Sequence, residues 1–380
     1  MLTANRVASI KKYFARLKDP RVRKRTKHRL IDIMAIALCG VIANCDTWAE
    51  IVDFGNTHAD WLKRFLKLPG GIPSQDTFER VFAKINPAVF SSCCVDWLRN
   101  VSDLIGMAHI AIDGKTLRGS GSSSLAPLHL VSAWATEAKL TLGEVAVAGK
   151  SNEIKAIPEL LKLLDLKGAL VTIDAIGCQK AIVKQIVEGG GDYLVAVKDN
   201  QAHLLEDIQA TVTKALEGEI PKDQQATITT SEEGHGRKER RSYLTIRNLD
   251  GIRDRKLWAG LTTVCMCWRE CISNGKTTEE VRYFIASGRT GARKLAKATR
   301  DHWGIEINKH WQLDVSFGED ASKIQEHNRA RNFATMRRLA LGVLKRNPAK
   351  KSIRAKRKLA AQDHAFLTEI LTGPVKTEKI

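Results

Sequence analysis

The sequence lacks an apolar run long enough to cross a membrane. Its longest such run, from Ile31 to Ala43, contains Asp32 and falls well short of the roughly 20 residues that a bilayer requires. The N-terminus also lacks the charged tip, apolar stretch and cleavage site of a secretory signal. Acidic residues are scarce beside basic ones, with 42 Asp and Glu against 61 Lys and Arg, so the formal charge is +19. We therefore expect a cytoplasmic protein with no membrane partner, drawn to a polyanion such as nucleic acid.

The eight cysteines lack the spacing of a zinc site. Cys93 and Cys94 are adjacent, and three more lie in TTVCMCWREC (262–271). Structural zinc sites usually show CxxC pairs, or one such pair with spaced histidines. We interpret these cysteines as reduced, buried thiols, as is usual in the cytosol.

Helical patterns fill the first 105 residues. A helix is predicted over 29–44, and Thr47 followed by Glu50 has the pattern of a capped helix start. A basic segment, RVRKRTKHR (21–29), precedes them. We predict an all-helical N-terminal DNA-binding domain over residues 1–105. The alternative is a plain helical domain with a solvated run of charge.

From about residue 107 the pattern changes to short apolar strands that alternate with helices. The order is β-β-β-α-β-α-β-α, which indicates a mixed α/β sheet. This order resembles the ribonuclease H-like arrangement, in which the first and fourth strands are parallel neighbours. We predict such a catalytic domain over 106–345, with a β-rich insertion at about 220–290 before the last catalytic helix. Residues 346–380 are predicted to form a basic tail.

Three acidic residues stand in distinctive settings. Asp113 and Asp174 each end an apolar strand pattern, and Glu306 lies in a segment that is predicted to be helical. An Asp at one strand end is more often a turn former, but two at the ends of the first and fourth strands would meet in this arrangement. Gathered together, the three carboxylates would bind two divalent cations, Mg²⁺ or Mn²⁺. Two such ions are typical of enzymes that cleave or transfer phosphodiesters.

The third carboxylate has competing interpretations. His302, Glu306 and His310 are spaced to share one helical face, which is compatible with a zinc site, although stacked polar groups are the commoner reason for this spacing. Other carboxylates that could replace Glu306 lie shortly after it, and they are Asp314, Glu319 and Asp320.

Basic, polar and aromatic residues near these acids are candidates for DNA contact. Trp303 and Trp311 flank Glu306 and are predicted to be core anchors, with stacking on an unpaired base as the alternative. The predicted DNA-binding residues are Lys115, Arg118, Lys198, Asn200, Gln201, His235, Arg237 and Arg241.

As a set, several segments resemble the H-repeat-associated group of bacterial insertion-sequence transposases, which are DDE enzymes. They include GIPSQDTFERVF (71–82), AIDGKTLRGS (111–120), VTIDAIGCQ (171–179), YLVAVKDNQ (193–201), and DHWGIE with HWQLDVSFGED (301–320).

The resemblance implies a ribonuclease H-like core and a metal-dependent transposase whose catalytic, metal-binding acids are Asp113, Asp174 and Glu306. It also implies binding to terminal inverted repeats and target DNA, a homodimer on DNA ends, and association with the bacterial nucleoid. The wider superfamily carries Tyr, Arg and Lys at fixed intervals around the glutamate, whereas the group has Asn directly after it. This chain has Thr299, His302, Leu313 and Ile307 at those positions, so the auxiliary phosphate ligands are not assigned.

Two other functions compete with this expectation. One is a nuclease or resolvase of the same fold without strand transfer. The other is a decayed or repurposed copy that only binds DNA. The helical N-terminal part and the β-rich insertion favour the transposase, because recognition of DNA ends needs more than a bare core. The presence of all three acidic residues argues against decay.

Overall fold

One mixed sheet contains nine strands within the described residues. The computed structural model describes residues 12–22, 26–102, 108–147, 149, 152–234, 236–288 and 290–372. The strands are β1 His109–Thr116, β2 His129–Ala135, β3 Leu140–Val147, β4 Leu170–Ile173, β5 Asp192–Val197, β6 Gln225–Gly234, β7 Arg237–Ile246, β8 Leu261–Ser273 and β9 Lys276–Ser287.

The spatial order of the strands is β3-β2-β1-β4-β5-β9-β8-β7-β6. β1 lies parallel to β4, in a register that pairs Ile112 with Ile173. The first five strands therefore have the predicted ribonuclease H-like order, and the predicted element order is confirmed. The insertion continues this same sheet, because β9 pairs antiparallel with β5 and leads outward to β8, β7 and β6.

Helices cover the central strands and bury them. On one face, α6 (Glu153–Leu161), α7 (Lys180–Glu188) and α8 (Ala202–Leu216) pack on β1, β4 and β5 through a core of aliphatic side chains. On another face lies α9 (Ala292–Ile305), whose Leu295, Ala296 and Ala298 pack against side chains of β4, β5, β7, β8 and β9. Central parallel strands have nearly continuous apolar sequences because helices exclude water from both of their faces.

The remaining helices form a second apolar core. The N-terminal helices are α1 Leu30–Ile42, α2 Trp48–Thr57, α3 Ala59–Lys63, α4 Gln75–Lys84 and α5 Pro87–Ser102. After α9 come a π-helix (Glu306–His310), α10 (Trp311–Phe317), α11 (His327–Arg346), α12 (Ile353–Gln362) and α13 (His364–Thr372). Side chains of α1, α2, α4 and α5 share one core with those of α10 to α13.

Two local predictions are confirmed. Thr47 caps α2 in a capping box, since its side chain accepts from the N–H of Glu50 and the Glu50 carboxylate accepts from the N–H of Thr47. All eight cysteines are free and buried.

The C-terminal segment differs from the predicted basic tail. Its residues 353–372 form α12 and α13, which pack on the N-terminal helices, and the guanidinium of Arg357 is fully buried. A run of basic residues in sequence normally indicates solvated surface. Here the buried cations bind main-chain carbonyls of other helices, which local sequence could not reveal. Among the described helices, none is both long enough and apolar enough to span a membrane.

Candidate active site

Asp113 and Asp174 lie side by side at one edge of the sheet. The last pair in the parallel register of β1 and β4 is Ile112 with Ile173. Asp113 directly follows Ile112, and Asp174 directly follows Ile173. β4 ends at Ile173, whereas β1 continues to Thr116, so Asp113 lies within its strand and Asp174 directly follows the end of the neighbouring one. The structure thus brings the two acids together, but the prediction that Asp113 ends its strand was wrong, because β1 continues to Thr116 through its pairing with β2.

The loop after β4 is held in a defined conformation. Asp174 caps a short 3₁₀ turn (175–177), and its carboxylate accepts from the N–H of Ile176 at 3.2 Å. The side-chain amides of Asn200 and Gln201 donate to the carbonyls of Ala175 and Cys178, each at 2.8 Å. Asn200 and Gln201, predicted as DNA contacts, thus use their amide donors to position the loop that carries Asp174.

Glu306 begins the π-helix that joins α9 to α10. Its side chain is 61% exposed, and its Oε2 lies 3.4 Å from Nδ1 of His310. The same Nδ1 lies 3.5 Å from Oδ2 of Asp113. The ligand atoms of Asp113, Glu306 and His310 all lie within 4.8 Å of one another. A π-helix widens the turn, and such segments frequently occur at functional sites.

His302 belongs to a different hydrogen-bond network, so it does not form a zinc site together with Glu306 and His310. Its Nδ1 lies 2.9 Å from the hydroxyl of Thr172, which lies 2.8 Å from Nε2 of His109. Burial lowers the pKa of His302 to about 4, so this ring is neutral at physiological pH. Of the three residues considered for zinc, only Glu306 and His310 face Asp113.

The Asp113 carboxyl lies buried beside two other negative charges. The pKa of the Asp113 carboxyl is raised to about 7, first by burial and then by the negative charges of Glu306 and Asp174. The hydrogen bond from Gly114 N–H to Oδ1, at 2.8 Å, opposes this rise only in part. The pKa of Glu306 is lowered instead, first by its hydrogen bond with His310. A bound cation would remove the repulsion among the three carboxylates.

The donor atoms fit a hard divalent cation. Asp113, Asp174 and Glu306 supply carboxylate oxygens, the ligands that Mg²⁺ prefers. His310 adds one nitrogen, and its Nε2 is buried without a hydrogen-bond partner among the described residues. All three acids line one cavity of about 440 Å³, together with Lys198, Arg282 and Trp303 among others.

The competing carboxylates form ion pairs with basic side chains. The ammonium of Lys115 is buried and lies 2.7 Å from Asp314 and 3.3 Å from Asp320. Glu319 is buried in an ion pair with Arg338. Lys115 was predicted to bind DNA, but its ammonium instead connects β1 to Asp314 in α10 and to Asp320 after that helix.

The other predicted DNA contacts divide into three groups. Lys198 is exposed at the rim of the cavity, Arg118 is 81% exposed, and Arg237 is exposed at the start of β7. The guanidinium of Arg241 is largely buried between Glu239 and Glu232, so the prediction that it binds DNA is not supported. His235 lies outside the described residues.

Three features of the site did not follow from the sequence. Trp303 and Trp311 are 43% and 53% exposed, so the prediction that they are core anchors was wrong. Arg282, on β9, lies over the Trp303 ring at 3.7 Å from its centroid. Lys309 is fully buried behind the cluster, 3.8 Å from Glu144, and burial lowers its pKa to about 8. No local pattern marks the last two, because strands and helices distant in sequence create their surroundings.

A ribonuclease H-like sheet that presents acids from β1, from the end of β4 and from the helix after the insertion has the architecture of DDE transposases. The chain belongs to this family: residues 105–343 match the model of the transposase DDE domain. Residues 11–98 match the model described as DDE_Tnp_1-associated. The predicted membership of the family is therefore confirmed.

Individual relatives cover almost the whole chain. The "H repeat-associated putative transposase YhhI" of Escherichia coli K12 is 38% identical over 93% of this chain and 95% of its own length. The "Putative transposase YncI" of Escherichia coli O157:H7 is 37% identical over 97% of this chain and 95% of its own. Among solved structures, a piggyBac transposase synaptic complex with hairpin DNA aligns with a TM-score of 0.41 and 8% identity, covering 99% of this chain and 80% of that one.

Proposed function

We propose that this protein binds the ends of an insertion element, cleaves the DNA there, and joins the freed 3′-hydroxyl to target DNA. The observation that carries the proposal is the convergence of Asp113, Asp174 and Glu306 on one cavity, with the pKa of Asp113 raised to about 7. A cluster of acids at the rim of a cleft in which one pKa is strongly perturbed is typical of a catalytic centre.

The three acids are assigned to binding two divalent cations. The chemistry that Mg²⁺ or Mn²⁺ supplies when bound is activation of the attacking oxygen and stabilisation of the leaving oxygen. Asp113, whose charge is coupled to those of both other acids, would contribute to both ions. His310 keeps the Glu306 carboxylate turned toward Asp113.

Exposed basic side chains, one of them at the cavity, are assigned to the DNA backbone. Lys198 lies at the rim beside Asp174, and Arg118 and Arg237 are exposed. Long flexible cations at such positions attract phosphates without reading base sequence. The N-terminal helices are proposed to contribute to recognition of the element ends. A homodimer is proposed to pair two ends, and sedimentation of the protein bound to one end duplex tests this; one protomer per end without pairing contradicts it.

The test is strand cleavage and joining on a labelled duplex that carries the repeats flanking the element. Wild type, Asp113→Asn, Asp174→Asn and Glu306→Gln are compared in Mg²⁺, Mn²⁺ and EDTA. Asp199→Asn is the matched control, since Asp199 is an exposed acid that lines the same cavity. Joined products that require metal and disappear in the three variants, but not in the control, support the proposal.

Other outcomes separate the alternatives. Metal-dependent cleavage without joined products would identify a nuclease of this fold. Binding in EDTA without cleavage in either metal would identify a repurposed DNA-binding protein. If Glu306→Gln alone stayed active, the third ligand would be another acid, and Asp314→Asn would be measured next.

A further inference from the structure

Helix α12 and the residues just before it carry two sets of cations, one buried and one exposed. The segment 348–362 contains six Lys and Arg residues and no acidic residue. Ser352 caps the helix, since its hydroxyl accepts from the N–H of Ala355 at 3.2 Å. Lys356 and Arg357 are buried, whereas Lys350, Lys351, Arg354 and Lys358 are exposed.

The buried cations hold the helix in place. The ammonium of Lys356 donates to the carbonyls of Leu344 and Asn347, at 3.0 and 2.6 Å, at the end of α11. These are carbonyls that a helix leaves unpaired at its C-terminus. Lys356 therefore fastens α12 to the helix that precedes it.

Arg357 fastens α12 to two further helices. Its guanidinium donates to the carbonyl of Val41, at the end of α1, and to the carbonyl of Ser316 in α10. It also pairs with Asp46 at 2.7 Å and lies over the ring of Phe317. Because α10 continues the π-helix of Glu306, the orientation of α12 is tied to the helix that carries part of the candidate active site.

The exposed cations form a surface that we name the basic face of α12; it consists of Lys350 and Lys351, which precede the helix, and of Arg354 and Lys358 within it. None of the four makes an ion pair with a carboxylate of the described residues. Within the helix, Arg354 and Lys358 are four residues apart, which is roughly 6 Å along the axis at about 1.5 Å of rise per residue. Two base pairs of DNA span about 7 Å, which is close to this separation.

We propose that the basic face of α12 binds the sugar-phosphate backbone of duplex DNA. This inference rests on the proposed function, which it deepens by naming a surface for the DNA. Four cations without an acidic counterpart repel one another, and a row of phosphates would neutralise them. A protein partner fits less well, because interfaces between proteins are depleted in lysine and the face offers no aromatic anchor.

The test compares two variants with the same change in net charge. In the first, the four residues of the basic face are changed together to glutamine. In the control, four exposed lysines of the α6–α7 region are changed to glutamine, and they are Lys155, Lys162, Lys167 and Lys184. The dissociation constant for the end duplex and for an unrelated duplex is measured between about 50 and 200 mM salt.

Removing one phosphate contact should reduce the slope of log K against log salt by about 0.9. We expect the slope for the basic-face variant to be shallower by about 2 to 3 on both duplexes, with the control close to wild type. An unchanged slope, or an equal reduction in the control, overturns the proposal. Circular dichroism and thermal unfolding verify that both variants are folded.

Failure of the proposed function gives a different result. Asp113→Asn leaves the basic face intact, so it should bind DNA with the slope of wild type while joining no strands. If wild type itself joined no strands in any metal but the basic-face variant still bound with a shallower slope, the catalytic proposal would fail and the DNA-binding surface would stand.

Discussion

Replacing Asp113 by asparagine should stabilise the protein in the absence of metal. The Asp113 carboxylate is largely buried beside Glu306 and Asp174, and its pKa is raised to about 7 from an ordinary value of 3.8. Asparagine has nearly the same shape, keeps an oxygen for the N–H of Gly114, and carries no charge. The substitution therefore removes the repulsion while preserving the packing.

The magnitude follows from the displacement of the pKa. Below about pH 4 the carboxyl is protonated in both folded and unfolded chains, so its burial imposes no electrostatic penalty on the free energy of unfolding. Between about pH 4 and 7 only the unfolded chain releases the proton, so the free energy of unfolding falls as pH rises. Above pH 7 the full penalty applies, and it is on the order of 4 kcal/mol. Asp113→Asn should recover a large part of it.

The assay is chemical denaturation of wild type and Asp113→Asn at about pH 5 and pH 8 in EDTA, on either side of the raised pKa. The variant should be more stable than wild type at the higher pH, and the difference should shrink at the lower one. Added Mg²⁺ should raise the stability of wild type and have less effect on the variant, because a bound ion stabilises only the state that binds it. Equal stability at the higher pH, or a lower value for the variant, would refute the reasoning about repulsion.

Three further predictions concern stability. Thr47→Ala should lower the free energy of unfolding by about 1 kcal/mol in denaturation experiments, because it removes a helix cap, whereas Thr47→Ser should have little effect. Gly114→Ala should destabilise by about 1–3 kcal/mol, because the added methyl meets the buried side chains of Glu153 and His129; a stable variant would contradict this packing. The free energy of unfolding of wild type should rise between about pH 8 and 10.5, because over that range the folded protein has released the proton of the buried Lys309 while the unfolded chain still holds it. Lys309→Met should abolish this rise. Identical pH profiles of wild type and variant would show that the ammonium is solvated.

Much of the fold could be predicted because it depends on short-range patterns. The alternation of apolar runs with helical periodicity indicated the order of elements from β1 to α8, and this order is the one observed. The insertion was predicted as strands, but its union with the central sheet depends on the pairing of β9 with β5, in which Val197 lies opposite Tyr283. Pairing between such distant segments leaves no local signal.

The fate of charged side chains could not be predicted. Lys115 and Asp314 are 199 residues apart in sequence and form a close ion pair. A basic residue beside an acidic site fits phosphate binding equally well until its partner in the fold is known. The same holds for Arg241, which lies between two glutamates of the insertion.

The sequence by itself determined the class of fold and the two aspartates of the candidate site, because the end of an apolar run is a local property of the chain. The sequence also indicated Glu306, because the segment DHWGIE (301–306) resembles that of the transposase group. Only the tertiary structure decided that His310 joins Asp113 and Glu306 while His302 does not. The tertiary structure also decided that Lys356 and Arg357 of α12 are buried while Arg354 and Lys358 are exposed. Burial and charge pairing are set by contacts between distant segments, and these exist only once the chain has folded.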